Sequence, residues 1–73
     1  MEQNILLLFG KRIRELRQKN GWSQESLAEN SDFHRTYIGM IERGERNLSL
    51  INIAKLSKCF NITLEELFRD LCQ

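Results

Sequence analysis

Seventy-three residues, 41% hydrophobic and 29% charged, describe one small globular domain whose core is marginal, because a chain this short buries only about 60–65% of its unfolded surface. No proline and only four glycines argue against a disordered, collagen-like or loop-rich β chain. Eleven basic and ten acidic residues leave a net charge of +1, a total that by itself gives no sign of a polyanionic partner. The one long apolar run, Ile5 to Phe9, is far short of the roughly 20 residues that a membrane-spanning helix needs. It follows Glu2 without a basic residue ahead of it, which is not the form of a signal peptide. Cys59 and Cys72 make no C-x-x-C pair and are too few for a disulfide framework, so two reduced thiols in a cytoplasmic protein are expected.

In chain order, Phe9, Ile13 and Leu16 fall at helical spacing, with Ile5 or Leu6 extending the stripe upstream. Asn20-Gly21 supplies a stop. Ser23 is a candidate N-cap for a second helix carrying Leu27 and Ala28. Ser31-Asp32-Phe33 forms a turn, and a third helix from about His34 to Arg43 places Ile38 and Ile41 on one face, closed by Gly44. Ser49 can cap a fourth helix with the inward stripe Leu50, Ile53, Leu56, Ser57 and Phe60. Thr63 with Glu66 makes a capping box for a fifth, from Leu64 to about Leu71. The prediction is an all-α fold of five short helices, with no linker or repeat between residues 1 and 73.

Charge is distributed more tellingly than its total. Residues 11–58 hold ten basic and six acidic side chains, whereas the remaining termini hold Arg69 against Glu2, Glu65, Glu66 and Asp70. Lys11, Arg12, Arg14, Arg17 and Lys19 form the sharpest basic cluster, and Arg35, Arg43 and Arg46 a second. Such a split suits a molecule with one face toward a polyanion. His34, the only histidine, lacks Cys, Asp or Glu at ligand spacing, so no metal and no cofactor are expected. Trp22 reads as a packing residue, and no nucleophile–base pair marks the chain as an enzyme.

Helices two and three are joined by about three residues, which is helix-turn-helix geometry. Ala28 is small enough for the crossing, Ile38 and Ile41 offer branched apolar surface, and Asp32 takes the turn position that requires a left-handed backbone. With Ser23-Gln24-Glu25-Ser26-Leu27-Ala28, Arg35-Thr36-Tyr37-Ile38 and Ile41-Glu42-Arg43-Gly44, the chain resembles the phage-repressor-type helix-turn-helix family, of lambda-repressor-like fold. The strings from His34 to Ile38 and from Glu42 to Leu50 are similar to the controller proteins of bacterial restriction–modification systems. The likeness runs from about Phe9 to Phe68. It departs at Asp32, where glycine is usual, and at Gly39, where relatives often carry serine.

The resemblance implies that the third helix enters the major groove of double-stranded DNA, with Arg35, Thr36 and Tyr37 facing the bases. Arg35 has the planar fork that reads guanine O6 and N7 together. Gln24, Arg17, Arg43, Arg46 and Asn47 are the candidate DNA-backbone contacts, and Glu42 is expected to pair with an arginine, Arg17 being one choice. On the fifth helix, about residues 63–71, Leu67 is the best candidate to cover the core. Leu64, Phe68 and Leu71 are then left for a symmetric homodimer interface. The function expected is a homodimeric transcriptional regulator on a palindromic operator, the controller of a restriction–modification system acting as activator or repressor, with RNA polymerase a further partner in activation. A phage repressor, an antitoxin and a helical protein-interaction module are the alternatives.

Overall fold

The computed structural model describes the backbone of residues 2–69 and 71, with side chains from residue 5 onward. Five helices follow one another: α1 (Glu2–Lys19), α2 (Gln24–Ser31), α3 (Arg35–Glu42), α4 (Leu50–Cys59) and α5 (Leu64–Leu67). No strand occurs among the described residues, and no described helix is long and apolar enough to cross a membrane. The expected fold class is the one observed.

Local chemistry sets most boundaries where the sequence places them. Asn20 ends α1 by donating its side-chain amide to the Leu16 carbonyl at 2.8 Å. The Ser23, Ser49 and Thr63 hydroxyls accept the backbone N–H groups of Ser26, Asn52 and Glu66, capping α2, α4 and α5. Asp32 stands in the left-handed region at φ 62°, and its N–H donates to the Ala28 and Glu29 carbonyls. The α2–α3 turn is therefore closed by the residue that replaces the usual glycine.

The core is built from one stripe per helix. Ile13, Leu27, Ile38, Ile41, Leu56 and Leu67 are fully buried, and Phe9, Leu16, Ala28, Phe60 and Leu71 close around them. Trp22 stacks on Phe60, with ring centroids 5.7 Å apart and planes 20° from parallel, and is a packing residue as expected. Cys59 is half-buried, and burial raises its thiol pKa; Cys72 lies outside the described residues. Where α1 crosses α3, Gly10 is indispensable. A Cβ there would lie 2.8 Å from the Glu42 carbonyl oxygen and closer still to that of Ile41.

Four expectations need correction. The helix expected to run from Leu64 to about Leu71 ends at Leu67. Its next acceptors, the Glu66 and Leu67 carbonyls, receive Arg12 Nη2 at 2.6 Å and Nε at 3.2 Å, and the Glu66 carbonyl also accepts the Arg69 N–H at 3.2 Å in a tighter turn. The Leu71 N–H bonds instead to the Phe68 carbonyl, and Leu71 folds onto its own core. It is a core residue, not part of an exposed dimer face. Glu66 forms only half a capping box, because its carboxylate pairs with Arg12 and Arg69. On α4, Leu50 is 72% exposed rather than inward: it is the first residue after the cap, beyond the edge of the core that Leu56, Ser57 and Phe60 reach.

Candidate nucleic-acid interface

α3 is held in place by a carboxylate. The Glu42 side chain is only 2% exposed. It accepts from Arg17 Nε at 2.7 Å and Nη2 at 3.0 Å, and from Gln24 Nε2 at 3.0 Å, with Arg14 Nε 3.8 Å away. Arg17 also donates Nη1 to the Trp22 carbonyl at 3.0 Å. The hydrogen bonds to Glu42 raise the Arg17 pKa further above its usual value, their attraction outweighing partial desolvation. One ion pair thereby ties α1, α2 and the end of α3 together.

This arrangement bears out the pairing of Glu42 with Arg17 and corrects the role given to Arg17. Three of its donors are committed inside the protein and its side chain is 11% exposed, so it acts as a brace for α3 rather than as a free phosphate ligand. Gln24 is similarly engaged through its amide nitrogen. The first turn of α2, however, carries backbone N–H groups that have no intrahelical acceptor. Arg17, Ser23, Gln24, Glu25 and Arg35 line one cleft of about 330 Å³, which brings this helix N-terminus beside the start of α3.

At that start, His34 occupies the N-cap position without a side-chain cap bond. Arg35 and Thr36 are exposed. Arg35 makes no ion pair among the described residues, so its fork is available. Tyr37 is half-buried: its ring lies 5.0 Å from that of Phe33, and its hydroxyl accepts from Asn52 Nδ2 at 3.0 Å. Arg46 places its guanidinium 5.1 Å from the Tyr37 ring centroid, within cation–π range. Arg46 and Asn47 are exposed on the α3–α4 loop. Arg43 is exposed too, but its fork is occupied by Glu45 at 3.0 and 3.2 Å.

The basic cluster of α1 is not one face. Arg12 turns to α5, Arg17 and the more exposed Arg14 to Glu42, while Lys11 and Lys19 stay in solvent. Helical rotation separates side chains that are adjacent in sequence, and three of the five have partners on other helices that no local pattern announces. Exposed apolar side chains occur on α1 itself, at Ile5, Leu7 and Leu8, and at two further places. Leu64 and Phe68 are exposed as expected, Phe68 with its ring 5.8 Å from Phe9. Leu50 and Ile51 form a second exposed pair at the α4 N-terminus. Ile51 lies off the inward stripe, and two successive apolar residues just after a cap were the only sequence sign of that pair.

Known proteins are similar to this chain in sequence and fold. A helix-turn-helix family model matches residues 13–67. The control protein C.BamHI of Bacillus amyloliquefaciens is 52% identical over 92% of this chain and 84% of its own length. C.MunI of a Mycoplasma species is 46% identical over 93% of both. Among solved structures, the restriction-modification controller protein C.AhdI of Aeromonas hydrophila superposes with a TM-score of 0.82 at 52% identity, covering 86% of this chain and 96% of that one. C.Esp1396I bound to a 25 base pair operator site superposes with a TM-score of 0.81 at 33% identity, covering 92% and 88%.

Proposed function

The chain belongs to the helix-turn-helix family, among its restriction–modification control proteins, and from that premise we propose that it binds a palindromic operator as a homodimer and regulates the endonuclease gene of such a system together with its own promoter. The observation that carries the reading is the start of α3, where Arg35 and Thr36 are exposed and unpaired on a helix whose far end is locked by Glu42. A braced helix presents its side chains in one geometry, which is what recognition of base edges requires.

Arg35 reads guanine through its two parallel donors, and Thr36 contacts a neighbouring base through its hydroxyl or methyl group. Tyr37 contributes from the edge of the site. Arg43, Arg46, Asn47 and the α2 N-terminus at Gln24 hold phosphates, fixing register without reading sequence. Leu64 and Phe68 form the contact between protomers. Burial of this face supplies stability that a small core lacks. It also sets two α3 helices about 34 Å apart, one helical turn of DNA.

Selection of bound duplexes from a random-sequence pool tests the proposal. Enrichment of a two-fold symmetric site is the expected result; recovery of unrelated sequences with no common motif contradicts it. In the source genome, an adjacent methyltransferase gene is expected beside the controller.

A further inference from the structure

Asn52 belongs to no apolar stripe and to none of the motifs that sequence reading singles out, yet it makes a contact across the fold. It lies in the first turn of α4 and is half-buried. Its backbone N–H donates to the Ser49 hydroxyl, while its side-chain amide donates to the Tyr37 hydroxyl, fifteen residues earlier on α3. The Tyr37 ring is therefore fixed on three sides: by Asn52 at its hydroxyl, by Phe33 against its ring, and by the Arg46 guanidinium.

We infer that Asn52 is a positioning residue for DNA recognition, acting through the Tyr37 hydroxyl to fix the ring on which Arg46 rests. The inference builds on the assignment of Tyr37 and Arg46 to the DNA contact. Arginine loses much rotamer freedom when it is immobilised at an interface, and a side chain already fixed in the free protein loses less on binding. Arg46 has no ion pair among the described residues, so the aromatic face is its anchor among them. Asn52 holds that face at its polar end. The specific complex demands a single geometry at this position, whereas non-specific binding to phosphates tolerates several. Loss of Asn52 therefore weakens the former more than the latter.

The test is a double-mutant cycle on the full chain. Wild type, Asn52→Ala, Tyr37→Phe and the double variant are titrated by fluorescence anisotropy against a duplex carrying the palindrome that wild type selects, and against its scrambled counterpart. Each single variant is expected to lose about fivefold on the palindrome, the worth of one net hydrogen bond. The double variant should lose no more than either, with a smaller loss on scrambled DNA, so that the ratio of the two affinities falls. Independent losses that multiply, or an Asn52→Ala variant equal to wild type, overturn the inference. A merely structural Asn52 would lower the melting temperature and leave the ratio of the two affinities unchanged, which also overturns it. Should Asn52→Ala not fold, Asn52→Ser, too short to span to Tyr37, carries the same expectation. If wild type selects no palindrome, the DNA-contact assignment itself fails, an outcome distinct from the others.

Discussion

Arg35 and Arg43 are both exposed arginines on or beside α3, but they differ in what their guanidinium groups already hold. Arg35 is unpaired, whereas Arg43 forms two hydrogen bonds to Glu45 that raise its own pKa and hold the Glu45 carboxyl below its usual value. Such an exposed pair contributes little to stability, and a DNA phosphate must displace the carboxylate. Glu45→Gln is therefore expected to tighten binding to all duplexes alike, by roughly threefold, and to steepen the salt dependence by about one phosphate contact. Affinities measured across a salt series check this, and unchanged slopes would remove Arg43 from the phosphate contacts. Because the Glu45 pKa is lowered, the pair is complete above the ordinary value of 4.5 and dissolves as the pH falls through the lowered one. The difference between variant and wild type should accordingly vanish in acid. At this scale the sequence showed which residue types stand at the start of α3. It did not show which were already engaged: Tyr37 is held by Asn52 from α4, while Arg43 is held by Glu45, one of two acids within three residues of it.

Among the elements, α1 does more than cover the core. Through Gly10 it meets the α3 backbone, through Arg17 it braces α3, and through Arg12 it ends α5. Gly10→Ala should destabilise the fold by about 2–3 kcal/mol, because the added methyl meets backbone carbonyls that cannot rotate away. This outweighs the gain of about 1 kcal/mol that alanine brings to a helix interior. Urea denaturation measures the difference, and a stabilised variant would mean that the helices separate at no cost. Glu42→Ala leaves Arg17 and Gln24 without their shared acceptor. It should cost about 2–3 kcal/mol, somewhat short of a fully buried pair because the rim of Arg17 meets water. The caps at Ser23, Ser49 and Thr63, the left-handed Asp32 and the stripes of α1 to α3 were all legible locally, since each rests on neighbours in sequence. The end of α5 was not. It is decided by Arg12, fifty-four and fifty-five residues away.

For the molecule as a whole, near-neutral charge conceals a division of labour. Basic side chains stand exposed on α3 and the following loop, while the acidic C-terminal segment carries exposed Leu64 and Phe68. Leu64→Asp and Phe68→Asp should each shift the protein to monomer in sedimentation equilibrium. Phe68→Asp should also lower stability, because it removes the tilted ring contact with Phe9; a dimer that survives both substitutions would place the interface elsewhere. The expected interface lost Leu71 because a sequence pattern assigns a helix face only for as long as the helix continues. The central claim is that α3 reads DNA through Arg35, and parallel selections from one random pool with wild type and Arg35→Ala test it most directly. Wild type should enrich a palindrome, and Arg35→Ala should lose preference at one base pair in each half-site, at a cost of about 1–3 kcal/mol per contact. An unchanged palindrome, with the same preference at every position, would contradict it.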